Sequence, residues 1–453
     1  LFTLSSLTIL ELISCPKLGS LFTASTAKTL TSLERLNIED CDGLKHILTR
    51  ERGHKNQKEN LVEDDREFQS DISMFVGLKR LSIEGCDLQH ILSVPFVGYQ
   101  AKLEDIKNKE THNNFEHLQR KNIQIGEQVR LKLKNLVLCD LPQMTYIWVA
   151  SKNSLILQYL QTLDIWCCAK LEVIFPSCVL RCLPKLKGLA IRECTELKQI
   201  IEEDVTDKKL SDHSTKPCFP KLVDLVVEEC HKLKRFFSAS SSSDLLNLKY
   251  LIIDGATELE EIIGFEQGFS RNSFTFRNLG TLNITRCAKL EVIFPPSVLR
   301  CLSELKRLEI RQCKELKQII EEDKKMINLV SLEPCFPKLE VVVVEQCHKL
   351  KHFFSASASA SASNDLPNLE LLIIDGATEL EELIGFKRGK GGEIEKAKVE
   401  LPKLKLLIFM QLSTLHQGTE LLTVKHRIVH NCPKLSLTST TTLRELVANI
   451  PYS

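Results

Sequence analysis

Apolar residues recur along the chain in one template, LxxLxIxxCxxLxxI, in which they alternate around LxI and then spread to wider spacing. Alternation with a period of two predicts a short β-strand at LxI, with the leucine and isoleucine facing a core. Four segments match the template fully, and their template cysteines are Cys41, Cys168, Cys194 and Cys287. Weaker matches are centred on Cys15, Cys86, Leu141, Cys230, Ala256, Cys313, Cys347, Ala377, Leu412 and Cys432. The pattern therefore predicts fourteen repeats.

The template position of the cysteine, called the ladder position below, recurs after as few as 26 residues, as between Cys15 and Cys41. This spacing, with cysteine at an Asn/Cys position, is typical of leucine-rich repeats. One repeat cannot bury its apolar edge alone, so the predicted fold is an α/β repeat solenoid. We expect a horseshoe with a concave parallel β-sheet and an irregular or short-helical convex side. The ladder residue is expected to bond backbone groups where the chain leaves the strand.

A single solenoid over residues 1–453 is expected rather than several globules. Its segments are N-terminal repeats (1–95), an inserted excursion (96–130), repeats four to eight (131–262), duplicated repeats nine to twelve (263–386), and C-terminal repeats with a cap (387–453). Charged or Ser/Ala-rich stretches at 49–71, 202–216, 238–243 and 355–363, and a Gly-rich basic segment at 387–400, predict protruding loops.

Repeats five to eight recur as repeats nine to twelve, which indicates a tandem duplication. LEVIFPSCVLRC from Leu171 returns as LEVIFPPSVLRC from Leu290, and DGATELEEIIGF from Asp254 returns as DGATELEELIGF from Asp375. The two copies differ at 2 of 24 template positions and at 2 of 16 turn positions. They differ at 12 of 20 positions that flank or alternate with LxI. Since turn and LxI-flanking positions should both be exposed, the difference suggests that the concave face changed for a ligand, although chance in small sets remains an alternative.

The LxI-flanking positions supply the candidate partner-binding residues. A tryptophan on a predicted strand can anchor a partner, although it can equally be a half-buried strand aromatic. The candidates are Asp164, Trp166, Arg192, Asp224, Glu228, Tyr250, Arg286, Arg307, Glu309, Arg311 and Glu345. They predict a protein-binding surface on the concave side of the sheet.

Composition and motifs exclude several other classes of function. The net charge of +1 argues against nucleic-acid binding, and no apolar stretch is long enough to predict a membrane span. Ten of the 17 cysteines occupy ladder positions and no CxxC pair occurs, so we expect free thiols in a reducing compartment and no metal site. Phosphate-loop and common catalytic motifs are missing from the sequence. A non-enzymatic chain without a cofactor is expected.

The template resembles the repeats of plant intracellular coiled-coil, nucleotide-binding, leucine-rich-repeat disease-resistance proteins. The resemblance is carried by CPKL at Cys15 and Cys432, by CHKL at Cys230 and Cys347, and by LKNLVLCDLPQMTYIW from Leu133. It implies a cytoplasmic sensor and autoinhibitory region whose partners are a pathogen effector, a guarded host protein or the receptor's own nucleotide-binding domain. Any nucleotide would bind a domain missing from this chain, which lacks an initiator Met and is expected to be part of a longer protein.

Two alternatives come from other classes. A cytosolic leucine-rich-repeat adaptor, such as the substrate-recruiting subunit of a ubiquitin ligase, would need a docking motif outside these repeats. An extracellular receptor would need a signal peptide and paired capping cysteines.

Overall fold

Two compact units, Leu1–Pro184 (unit 1) and Lys185–Ser453 (unit 2), make up the chain. The structure is a computed structural model. It describes residues 4–49, 77–88, 132–147, 159–175, 183–201, 219–237, 245–263, 276–294, 302–320, 336–354, 366–384, 387–388, 394–395, 401–415, 424–435 and 438–442.

Unit 1 is built mainly of short parallel strands. Its described elements are β1 (Ile9–Ile13), β2 (Ser20–Thr23), α1 (Ala24–Thr29), β3 (Arg35–Glu39), β4 (His46–Thr49), β5 (Arg80–Glu84), β6 (Asn135–Cys139), β7 (Thr162–Trp166) and β8 (Val173–Phe175). Strands β1, β3, β5, β6 and β7 form its main sheet in that order, and β2 pairs with β4. Helix α1 follows Thr23, whose hydroxyl caps it by accepting a hydrogen bond from Thr26 N at 3.3 Å.

Unit 2 continues the same plan. Its described strands are β9 (Gly188–Arg192), β10 (Gln199–Ile201), β11 (Asp224–Glu228), β12 (Arg235–Phe237), β13 (Tyr250–Asp254), β14 (Glu261–Ile263), β15 (Thr281–Thr285), β16 (Val292–Phe294), β17 (Arg307–Arg311), β18 (Gln318–Ile320), β19 (Val341–Glu345), β20 (His352–Phe354), β21 (Leu371–Asp375), β22 (Glu382–Ile384), β23 (Lys387–Arg388), β24 (Ile394–Glu395), β25 (Leu406–Met410) and β26 (His426–His430).

The main sheet of unit 2 has nine parallel strands in the order β9, β11, β13, β15, β17, β19, β21, β25 and β26. Together with the five main strands of unit 1, they correspond one to one with the fourteen predicted repeats. A second row of short strands follows the turns, as β10–β12–β14 and β16–β18–β20–β22, and the template does not predict it. The predicted leucine-rich-repeat solenoid with a parallel sheet is confirmed.

Alternation along each main strand separates a core side from an outward side. In β15, Leu282 and Ile284 are fully buried, whereas Thr281, Asn283 and Thr285 are half-buried. Neighbouring strands pair residue for residue in parallel, so inward leucines and isoleucines of successive repeats stack into one apolar core within each unit. Burial of such side chains is the main stabilising contribution to each unit, at roughly 1.5–3 kcal/mol per large apolar side chain.

The ladder cysteines bond the backbone as expected. Each of the ten places its Sγ 3.2–3.6 Å from the carbonyl oxygen two residues earlier, at the end of its strand. Burial raises the pKa of Cys86 to about 11, so its thiol stays protonated as a donor at neutral pH. All twelve cysteines among the described residues are free thiols.

A left-handed residue lies between each main strand and its ladder position. Their φ angles run from 46° at Asp140 to 70° at Gly255 and Gly376. In most repeats the N–H of this residue donates to the last carbonyl of the next strand, as from Glu229 to Asp254 at 2.8 Å. That hydrogen bond extends the sheet by one residue and offsets the cost of positive φ in non-glycine residues such as Arg286.

Several predicted segments lie outside the described residues. They include the inserted excursion at 96–130 and the loops at 202–216, 238–243 and 355–363; in the segment 49–71, only residue 49 is described. The basic segment 387–400 was predicted as a loop, and its described residues form a short antiparallel pair in which Lys387 lies opposite Glu395.

Candidate functional site

The outward side chains of the main strands form the candidate surface. They are the first, third and fifth residues of each strand, and the term strand face is used below for those of unit 2. In β11 these are Asp224, Val226 and Glu228, with Leu225 and Val227 buried behind them. Because the strands are parallel and in register, residues of the same rank align in columns across the repeats.

The predicted site residues divide between the two units. Asp164 and Trp166 lie on β7 in unit 1, where the indole is 44 % exposed. The others belong to unit 2: Arg192 on β9, Asp224 and Glu228 on β11, Tyr250 on β13, Arg307, Glu309 and Arg311 on β17, and Glu345 on β19. Arg286 lies in the left-handed position after β15.

Exposure along the strand face is uneven. Tyr250 is 48 % exposed, as a partner-binding aromatic requires. Glu309 is only 6 % exposed and its counterpart Ala190 only 8 %, so the expectation that these positions are open to solvent is wrong. The arginines on either side of Glu309 in the strand cover its carboxylate.

Two copies of one ion pair lie on the strand face. Arg192 Nε is 2.6 Å from Glu228 Oε2, and in the second copy Arg311 Nε is 2.8 Å from Glu345 Oε2. Both pairs join the fifth residues of neighbouring strands, where cross-strand side chains come close. The structure therefore brings four of the predicted residues together as two ion pairs of the same geometry.

The second copy adds a network around Glu309. Its carboxylate accepts hydrogen bonds from Arg307 Nε and Arg311 Nη1. Burial alone would raise the pKa of Glu309, but the hydrogen bonds from Arg311 and Arg307 outweigh it and the pKa is lowered. The first copy has Gly188 and Ala190 at the positions of Arg307 and Glu309, so the two differences between the copies form one contact.

Arg286 joins residues that the sequence did not connect. Its Nε and Nη2 donate to Asp254 Oδ1 and Oδ2 at 2.8 and 2.7 Å, and Nη2 is also 2.5 Å from Glu229 Oε1. This bidentate contact with Asp254 raises the pKa of Arg286. Asp254, which is identical in both copies as Asp375, was not among the predicted site residues.

An apolar area, which sequence reasoning missed, occupies another part of the strand face. We call it the apolar end, and it consists of the outward residues Val341, Val343, Leu371, Ile373, Leu406, Ile408 and Met410 on β19, β21 and β25. Val343 and Ile408 are buried by their neighbours and the others are half-buried. The signal was present in VVVVE, LLIID and LLIFM, in which outward as well as inward positions are apolar.

Turn residues of unit 2 form an edge of alternating charge. The second residue after the ladder position is Glu196, Lys232, Glu258, Lys289, Glu315, Lys349 and Glu379 in successive repeats. Lys232 Nζ lies 2.6 Å from Glu196 Oε2, Lys289 pairs with Glu258, and Lys349 Nζ lies 2.7 Å from Glu315 Oε2. We call this row the turn edge, and its residues contact the neighbouring repeat.

Comparison with protein families gives the chain its relatives. The family model described as plant disease resistance protein RPS2-like, leucine-rich repeats, matches residues 1–42, 48–195 and 256–333, more than half of the chain. The chain belongs to this family. Its leucine-rich repeats are those of a plant resistance-type protein, which supports a role in protein interaction. No curated protein sequence matches it significantly.

Solved structures resemble the chain only distantly. The leucine-rich repeat domain of the type III effector XopL is 18 % identical, with 57 % of this chain and 71 % of that chain covered and a TM-score of 0.30. An internalin from Listeria monocytogenes is 12 % identical, with coverages of 91 % and 88 % and a TM-score of 0.26. A leucine-rich repeat protein of Leptospira interrogans is 14 % identical, with coverages of 84 % and 89 % and a TM-score of 0.27.

A metal site or a membrane span would be a functional feature of another kind. The part of the chain that the structure describes contains no group of three or more His, Cys, Asp or Glu side chains arranged to hold a metal ion. Within the same residues, no helix is both long enough and apolar enough to cross a membrane.

Proposed function

We propose that this chain is the sensor region of a plant disease-resistance receptor and that the strand face of unit 2 contacts its protein partner. The partner is a pathogen effector, a guarded host protein or, in the resting receptor, the receptor's own nucleotide-binding domain. Family membership supports the receptor assignment, and the proposed role is binding rather than catalysis. By analogy with the family, the chain would act in the cytoplasm.

We assign binding to the strand face because its outward residues differ between the duplicated copies. Asp224 and Tyr250 on β11 and β13 are replaced by Val341 and Leu371 on β19 and β21, whereas the buried residues between them stay apolar. Exposed tyrosines and arginines are the side chains most enriched at the energetic centres of protein interfaces. The strand face offers both, in columns that a partner could span across several repeats.

Exchange of outward residues between the copies tests the proposal. The variant Asp224→Val, Tyr250→Leu places second-copy residues on the first-copy strands. We expect it to change the set of plant or pathogen proteins that co-purify with the chain, while the melting temperature stays within a few degrees, as for surface substitutions in general. Quantitative mass spectrometry of the co-purified proteins measures the change.

A matched control introduces a second-copy residue at a turn position instead of on the strand face. Thr195→Lys copies Lys314 and should leave the co-purifying proteins unchanged. The proposal fails if the face variant retains every partner, or if partners are lost only together with a large fall in melting temperature.

A further inference from the structure

Asp254 and Asp375 are equivalent aspartates in the two copies, and their surroundings differ. Both are the last residue of their strand, β13 and β21, and both precede a glycine with φ of 70°. Asp254 accepts two hydrogen bonds from Arg286, at 2.8 and 2.7 Å. No ion pair is formed by Asp375 with any residue that the structure describes. The second copy therefore keeps the carboxylate without its cation.

The position that would supply this cation is known from the surroundings of Asp254. Arg286 occupies the left-handed position one repeat after Asp254, with φ of 54°, and Gln411 occupies the same position one repeat after Asp375, also with φ of 54°. Glu229, which also pairs with Arg286, corresponds to Gln346 in the second copy. Around Asp375, neutral amides therefore occupy the positions that hold the arginine and one of its two carboxylates around Asp254.

Asp375 lies in an environment that disfavours an uncompensated charge. Its Oδ1 is buried and has no hydrogen-bond partner among the described residues. Burial and the nearby Glu345 raise the pKa of Asp375, partly offset by a hydrogen bond from Gln346 and by His348. Glu345 is itself paired with Arg311 at 2.8 Å, which leaves that arginine engaged.

The surface beside Asp375 is the apolar end. Leu371 and Ile373 are on the same strand as Asp375, and in-register pairing places Ile408 beside Ile373 and Met410 beside Asp375. The strand that bears the same relation to Asp254 is β15, whose outward residues Thr281, Asn283 and Thr285 are polar. Asp375 thus differs from Asp254 both in lacking an arginine and in having apolar rather than polar neighbours.

We propose that the apolar end binds a polypeptide segment that places aliphatic side chains over Leu371, Ile373 and Ile408 and an arginine against Asp375. The inference rests on the proposed function, since it specifies where on the strand face a partner binds and with what chemistry. The partner's guanidinium would stand against Asp375 as the side chain of Arg286 stands against Asp254, and the larger number of N–H donors on a guanidinium favours arginine over lysine.

Selection of peptides from a random 12-residue phage-displayed library on the full-length chain tests the proposal. Enriched peptides should carry an arginine next to two or more aliphatic residues. A synthetic peptide of the consensus should bind Asp375→Asn about tenfold or more weakly than the unaltered chain, as the loss of a charge-assisted pair predicts. Substitution of the peptide's arginine by glutamine should weaken binding to a similar extent. Fluorescence anisotropy measures each dissociation constant.

Two further variants separate a binding role from a folding role. Gln411→Arg places an arginine at the position equivalent to Arg286, so this arginine should pair with Asp375 from within the chain. It should weaken peptide binding by a similar factor without lowering the melting temperature. Asp254→Asn is the matched control and should leave peptide affinity unchanged, because Asp254 is already paired with Arg286.

Each contrary outcome has a distinct meaning. Enriched peptides without a basic residue, equal affinity for Asp375→Asn, or failure to enrich any peptide would each overturn the inference. Self-association of the chain that Gln411→Arg abolishes would overturn it too, because the occupant would then be a second copy. A third outcome is that peptide affinity falls in the double variant Asp224→Val, Tyr250→Leu but not in Asp375→Asn. This result would overturn the inference about Asp375 and leave the proposed function standing.

Discussion

The turn edge and the strand face of unit 2 are both accessible to solvent, yet the duplicated copies preserve one and not the other. At the turn edge, Lys232, Glu258, Glu315 and Lys349 form ion pairs with the next or preceding repeat. A change of charge there meets a like charge one repeat away, because lysine and glutamate alternate. An exposed position is therefore not always free to vary. The few differences at turn positions cannot serve as the baseline against which the differences on the strand face are judged.

Part of the divergence of the strand face also has an internal cause. Arg307 and Glu309 replace Gly188 and Ala190 and bind each other. These two substitutions compensate for each other within the chain. The pairs Asp224/Val341 and Tyr250/Leu371 then bear most directly on recognition, since they replace polar or aromatic outward side chains by aliphatic ones.

The largest effect is expected at Glu309, where the contact is least exposed. Glu309→Ala removes the carboxylate between Arg307 and Arg311 and should lower the free energy of unfolding by about 1–3 kcal/mol, typical for loss of a buried hydrogen-bonding partner. Arg307→Ala, Glu309→Ala should lose less than the sum of the two single variants, because the arginine is removed with its partner. Chemical denaturation measures all three, and strict additivity would mean that the two substitutions are independent.

A smaller effect is expected at the turn edge. Glu315→Lys places a lysine between Lys289 and Lys349 and should lower the melting temperature by less than Glu309→Ala does, since exposed pairs are screened by solvent. The exchanged variant Glu315→Lys, Lys349→Glu should recover only part of the loss, because Lys289 still faces the new lysine. If Glu315→Lys melts like the unaltered chain in low salt, the ion pairs do not explain why the turns are preserved.

The smallest effect is a dependence on pH at Asp375. Its raised pKa means that the folded chain holds this proton more tightly than the unfolded chain, so the ionised carboxylate lowers stability at neutral pH. Asp375→Asn should therefore melt slightly higher at pH 7, and the gain should disappear as the pH falls below the ordinary aspartate pKa. Asp254→Asn should have the opposite sign, since it removes a partner of Arg286. A lower melting temperature for Asp375→Asn at pH 7 would contradict the unpaired environment of Asp375.

Sequence periodicity predicts the fold because the period of two and the ladder position depend only on residues close in the chain. It identifies the inward leucines and the ladder cysteines, and the bonds of Cys41 and Cys230 to their strand ends confirm the role expected of them. The left-handed position was missed, although Gly85, Gly255 and Gly376 occupy it and glycine is the residue that adopts positive φ most readily. In the template this position is x, which accepts any residue, so the template gives no sign of its special backbone conformation.

Contacts between repeats are harder to predict from the sequence pattern. Arg286 and Asp254 are 32 residues apart, and their contact depends on the parallel register between β13 and β15. Glu309 was expected to be exposed because its place in the template does not reveal that two arginines of its own strand cover it. The alternation of charge along the turn edge could have been found, since it needs only the ladder positions and the sequence between them.

Constancy of the register has a consequence for how such a chain can lengthen. Ile9 pairs with Arg35 after 26 residues, whereas Arg80 pairs with Asn135 after 55, and both pairs start their strands in the same way. Five strand residues, one left-handed residue and one ladder residue define the alignment, whatever number of residues connects them. Insertions and deletions between repeats can therefore accumulate during evolution without moving any outward side chain to a different column, so the length of the connections and the chemistry of the binding face evolve independently.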